Sequence, residues 1–181
     1  GRPAVGARPA HDLRRGVRVS AAAVGLSERA VIAQLLAARS PQEVQIHADK
    51  LAAIGTDLAV DALLSLVDDP RAAVPEAVIV AAGKIGSERA VARLIELADD
   101  ARPRLRGAAL AGLAEAGGGA ALAVLEAVAS DRGDPLRTTA IYALGTLGGD
   151  DAAAWLAALV PTTDIDSATA AVYALAQIPG D

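Results

Sequence analysis

Leu136-Arg137-Thr138-Thr139-Ala140-Ile141-Tyr142-Ala143-Leu144-Gly145-Thr146-Leu147-Gly148 is the stretch whose reading decides the fold. Stepping back 31 residues lands on Leu105-Arg106 through Ala116-Gly117, and a second step lands on Val74-Pro75 through Ile85-Gly86. A third reaches Ile54-Gly55, while one step forward gives Ser167-Ala168 through Ile178-Pro179. The last apolar column therefore reads Ile54, Ile85, Ala116, Leu147, Ile178. A sixth, less regular copy runs from Leu13-Arg14 to Val24-Gly25, displaced by one residue. Repetition at such a period marks a stack of units, none of which buries its apolar face alone.

Inside each copy the apolar residues recur at helical spacing, as in Leu136, Ala140, Ala143, Leu144 and Leu147, and a glycine closes the segment as a C-cap. Next comes a residue whose side-chain oxygen can cap a new helix, Ser27, Thr56 or Ser87. A second periodic run follows, such as Ala90-Val91 to Leu94-Ile95 or Ala152-Ala153 to Leu156. Acidic connectors (Asp68-Asp69-Pro70, Asp99-Asp100, Asp131 to Pro135) separate the units. The pattern predicts an all-α fold, a right-handed α-solenoid of about six two-helix repeats with a period of ~31 residues. The repeats fall at about 12–40, 41–71, 72–102, 103–133, 134–164 and an incomplete 165–181. They form one domain over 12–181, after a flexible Arg/Pro/Gly leader at 1–11.

Composition supports helices over sheets. Of 181 residues 46 are alanine, the best helix former, and only three are aromatic, so β-favouring side chains are scarce. The absence of cysteine excludes a disulfide scaffold and thiol chemistry, and two histidines leave little for a zinc site. A net charge of −5 gives no bulk reason to bind nucleic acid, and no run of apolar residues is long enough to span a membrane. The expectation is a cytoplasmic chain without metal or cofactor.

The first-helix form V-R-x-x-A-A-x-A-L-G-x-I-G is matched by Leu105-Arg106 to Gly117 and Leu136-Arg137 to Gly148. Ser87-Glu88-Arg89-Ala90-Val91 and Ser27-Glu28-Arg29-Ala30-Val31 match the E-R-A-V opening of the second helix. Over roughly residues 12–179 the chain thus resembles bacterial HEAT repeats of the phycobilisome-lyase-like (PBS lyase HEAT-like) type. The resemblance implies a protein-binding solenoid or a subunit of a bilin (tetrapyrrole) lyase-like complex. Its motif residues are packing residues, so it carries fold more than function. Pro75 departs from the pattern by replacing the usual arginine, and Glu43, His47 and Lys50 dilute the core column of the second copy.

Little else offers chemistry. His47 falls on the core side of its helix with no second ligand nearby in sequence, and His11 sits in the leader among arginines. The glycine strings at 117–119 and 148–149 lack the following lysine of a phosphate loop, and the acidic pairs lack calcium-loop spacing. The reading is a non-catalytic scaffold that takes a peptide or protein. The concave wall is assigned to the second-helix row: Asp57, Asp61, Glu88, Arg89, Arg93, Ala123, Val124, Asp151 and Trp155. It changes from charged to apolar along the stack, which suits a peptide with an apolar anchor near Trp155 and basic residues toward Asp57. On the first-helix row the outward column Val19, Asp49, Val80, Ala111, Tyr142, Tyr173 makes Val80, Tyr142 and Tyr173 a candidate convex patch. The sixth repeat lacks its second helix, so its apolar face is expected to be covered by further chain or by a neighbouring molecule.

Overall fold

The computed structural model describes residues 21–162 and 164–179, and among them every regular element is helical. In order they are α1 (Ala21–Ala37), α2 (Pro41–Ile54), α3 (Asp57–Leu64), α4 (Val74–Ile85) and α5 (Glu88–Ala98). Then follow α6 (Pro103–Ala116), α7 (Gly118–Ser130), α8 (Arg137–Leu147), α9 (Gly149–Leu159) and α10 (Ile165–Gln177). Helix pairs α2/α3, α4/α5, α6/α7 and α8/α9 are each joined by a short turn that opens on a glycine at positive φ. Gly55 (φ 75°) and Gly86 (φ 64°) end the first helix in the left-handed region. The next hydroxyl then caps the second, with Thr56 Oγ1 accepting from the Ala59 amide at 3.1 Å and Ser87 Oγ from the Ala90 amide at 3.2 Å. In the next two pairs the turn is Gly117-Gly118 or Gly148-Gly149, all at positive φ, and no side chain caps α7 or α9.

The first copy departs from expectation. In place of a stop at Gly25 and a cap at Ser27, α1 runs through both. Ala21-Ala22-Ala23-Val24 drive helix up to Gly25, an interior glycine costs only about 1 kcal/mol, and Leu26 stands where the other copies put a capping hydroxyl or a second glycine. The leader at 1–11, His11, Val19 and the rest of that copy's first helix lie outside the described residues. In the second copy Val44, Ala48 and Leu51 are fully buried while Glu43 and Lys50 point outward, so its core column survives the dilution; His47 is half-buried.

The core is a file of aliphatic side chains, among them Leu51, Leu63, Ile79, Leu94, Leu110, Leu125, Ile141 and Leu156, all inaccessible. The first helices α2, α4, α6, α8 and α10 pack directly on one another in sequence. Each second helix wedges against the first helix of the following unit and touches its own row only sparsely. Along the first row backbones meet. A Cβ on Gly83 would lie 2.1 Å from the Gly112 carbonyl oxygen, and one on Gly145 would lie 2.8 Å from Ala174 Cα.

Four arginines lace the loop edge. Arg71 donates to the Ala38 carbonyl (2.9 Å) and to Asp69 (2.7 Å), joining the end of α1 to the loop after α3. Arg102 links Asp68 to Asp100, whose other oxygen lies 2.8 Å away. Arg106 spans the Ala98 carbonyl (3.0 Å) and Asp134 (2.6 Å), and Arg137 spans the Ala129 carbonyl (2.9 Å) and Asp164 (2.7 Å). Each thus ties the end of one unit to the end of the next, and Arg71, Arg106 and Arg137 satisfy helix C-terminal carbonyls on the way. Arg106 and Arg137 come from the first turn of α6 and α8; Pro75 occupies that position in α4, and loop residue Arg102 makes the corresponding link. The guanidinium of Arg102 holds the Asp100 carboxyl at about 2. The amide and hydroxyl of Ser167, with Arg137, hold Asp164 well below the carboxylate range.

Gly83→Ala should destabilise the domain by about 2–3 kcal/mol, because the added methyl strikes neighbouring backbone that cannot rotate away. Gly107→Ala, an interior position of α6 where a Cβ meets nothing within 4 Å, should instead stabilise by about 0.5–1 kcal/mol. Urea denaturation of the two variants beside the parent checks the opposite signs.

Candidate functional site

Two surfaces compete for function, one on each helix row. On the second row Asp57, Asp61, Glu88, Arg89, Arg93, Ala123 and Asp151 are exposed, and Val124 and Trp155 are half-buried. Its charged half is engaged internally. Arg89 on α5 grips Asp61 on α3 with Nε at 2.8 Å and Nη2 at 2.9 Å. Donating these hydrogen bonds to the Asp61 carboxylate raises the Arg89 pKa. Ser87 Oγ donates to Asp57 at 2.7 Å, and Arg93 pairs with Glu96 on its own helix. One unit earlier the buried Glu28 accepts from the Thr56 hydroxyl in the same manner. The capping hydroxyl of one unit therefore donates to the acid of the unit before it. The series stops at Glu88, since Gly118 has no hydroxyl to offer.

Farther along, the second row loses charge. Ala123, Val124 and Trp155 carry α7 and α9 outward, and Trp155 lays one side against the main core cluster and leaves the other open. Asp151 is in the first turn of α9, where the helix dipole favours an acid.

On the first row, positions 31 residues apart form a grid. Its central column is Asp49, Val80, Ala111, Tyr142 and Tyr173, and Asp49 is tied across units to Lys84 at 3.4 Å. Val80, Ala111 and Tyr142 line one groove of about 260 Å³ together with Glu115, Thr139 and Thr146. A second groove of about 360 Å³ shares Val80 and adds Gln45, Glu76 and Ala77. Tyr173 flanks a depression of about 520 Å³ on α10 with Ile165 and Val172. Tyr142 is 41 % and Tyr173 61 % exposed, a large apolar presentation for a helix face. Reading the sequence missed Glu76 and Glu115. The signal was present, for Glu76 shares the column of Thr138 and Thr169 and Glu115 that of Lys84 and Thr146.

Among the described residues no group of three or more His, Asp or Glu side chains is placed to hold a metal ion. No described helix is long and apolar enough to cross a membrane.

Antiparallel helix pairs stacked on two core clusters that adjoin at α4 define an α-solenoid repeat protein. The family model of HEAT repeats matches residues 29–114 and 92–176, and the chain belongs to that family. Among solved structures it is similar to the complex of CpcE and CpcF of phycocyanin lyase from Nostoc sp. PCC7120, with 22 % identity and a TM-score of 0.54. The match covers 97 % of this chain and 70 % of that one, and it is a likeness of fold. No curated protein matches the sequence.

Trp155→Ala should cost about 2 kcal/mol, below the loss for a fully buried aromatic, and should leave a folded domain. Asp61→Ala should cost under about 1 kcal/mol, since both partners of the pair are half exposed. Thermal melts followed by circular dichroism separate the two.

Proposed function

We propose that this chain is a non-catalytic protein-interaction module of the cytoplasm whose partner sits on the first-helix row. The observation that carries this reading is the pairing of exposed Tyr142 and Tyr173 with a surrounding track almost free of charge. Large apolar side chains held at the surface of packed helices favour association, and tyrosine is among the residues that contribute most to interfaces. The second row supports the role less well, because Asp57, Asp61, Arg89 and Arg93 already satisfy one another or their neighbours.

Curvature adds to this. A stack whose first helices meet at backbone contact while its second helices stand apart bends toward the closer row. We therefore read the first row as the inner wall, the reverse of the assignment drawn from the sequence. Expressed with an affinity tag in its own host, the double variant Tyr142→Gln/Tyr173→Gln should lose its co-purifying protein and keep its circular dichroism spectrum. Asp61→Lys should retain that protein. The opposite result returns the binding face to the second row.

A second reading rests on the likeness to a phycocyanin lyase complex: the chain would be a subunit of a bilin lyase-like assembly. That reading predicts a shift in bilin absorbance when a linear tetrapyrrole is mixed with the protein. An unchanged spectrum removes it.

A further inference from the structure

The two adjoining grooves of the first row share Val80 and carry charge of one sign. Their only charged lining residues are acids, Glu76 in one and Glu115 in the other. No described cation pairs with either; the nearby Lys84 is tied to Asp49. The remaining lining is apolar or hydroxylic, with Val80, Ala111 and Tyr142 in file and Thr139 beside them.

Resting on the first-row reading above, we infer that these grooves dock a basic amphipathic α-helix lying across α4, α6 and α8, its apolar side on Val80, Ala111 and Tyr142 and its lysines or arginines against Glu76 and Glu115. Three points of chemistry lead there. First, the walls are helices whose backbone groups are spent internally, so an extended peptide would bring amides and carbonyls that find almost no partners, whereas a helix arrives with its own satisfied. Second, helices in backbone contact stand near the short end of the usual spacing of about 8–10 Å, a distance between one turn (about 5.4 Å) and two turns (about 10.8 Å) of a docked α-helix. The apolar a and d positions of its heptads therefore fall against successive positions of the column. Third, two carboxylates without a cationic partner among the described residues, in grooves whose remaining lining is uncharged, complement positive charge and repel negative charge.

The probe is a fluorescein-labelled synthetic helix with leucine at heptad a and d positions and lysine flanking them, beside a twin carrying glutamate for lysine. Anisotropy is recorded at about 0.15 M salt and at higher salt. The basic peptide should bind and the acidic twin should not. Tyr142→Gln should weaken binding about tenfold. Glu76→Gln and Glu115→Gln should each weaken it about threefold and flatten its salt dependence. Asp61→Lys on the second row should change nothing beyond about twofold, which guards against general attraction to an acidic protein.

Equal binding of the acidic twin, or indifference to Tyr142→Gln, overturns the proposal. Loss of the co-purifying protein in Tyr142→Gln/Tyr173→Gln with no binding of the basic helix overturns the helix while sparing the interaction module. If sedimentation shows the parent to be a dimer that Tyr142→Gln dissociates, the track holds a second copy of this chain, and the helix is likewise excluded.

Discussion

A helix whose buried stripe is rich in alanine and glycine gains fully from packing only when its neighbour comes close, because a short side chain reaches little apolar surface at ordinary interhelical distance. That constraint governs this molecule. Gly83 against Gly112 and Gly145 against Ala174 bring the first helices to backbone contact, and Ala81, Ala82, Ala109 and Ala140 fill the remaining gaps with complete burial. The leucines of the second helices, such as Leu94, Leu125 and Leu156, wedge behind that row, alongside the branched side chains that the row itself buries, among them Leu51, Ile79, Leu110 and Ile141. Glycine and alanine at the closest crossings, with branched side chains between the layers, give the stack both its cohesion and its unequal spacing.

The loop edge solves a different problem. Successive helix C-termini end near one another with carbonyls lacking intrahelical partners, and like partial charges gather there. Arg71, Arg102, Arg106 and Arg137 meet this by joining those ends and the adjoining aspartates in series. Arg137 is itself buried, so its contacts to Ala129 and Asp164 belong to the interior as much as to the surface. The column that supplies Arg106 and Arg137 holds Ala168 in α10, where the series ends among the described residues.

The repeat architecture was legible because packing forces equivalent residues into columns, so Ile54, Ile85 and Leu147 announce the period directly. Turns at Gly55 and Gly86 were legible for a related reason: a glycine followed by a hydroxyl states both the stop and the next start. The continuous α1 was not, since one glycine amid alanines stops a helix only when its neighbours cooperate. Arg71 and Arg102 keep the 31-residue period, as do their partners Asp69 and Asp100, but escaped notice because they reach those partners from loops, where no helical pattern marks them. Of the candidate surfaces, the exposure of Tyr142 and Tyr173 could be read from their column, but Glu115 meets Tyr142 only once α6 and α8 are placed side by side. The internal pairing of Asp61 with Arg89 likewise needed the stack, since the two are separated by a full repeat.

Backbone contact along one row also sets how the molecule can deform. Where Gly83 faces Gly112 there is no side chain left to compress, so the first helices cannot draw nearer without strain. The second helices, held apart and joined by exposed pairs such as Asp61 with Arg89, can slide or separate at small energetic cost. The solenoid is thus a spring with an incompressible seam: at Gly83 with Gly112 and at Gly145 with Ala174 the tight row resists closer approach, and that deformation falls to the other side. A guest on the tight row rests on a platform of nearly constant geometry, so its recognition is decided by side chains already in place.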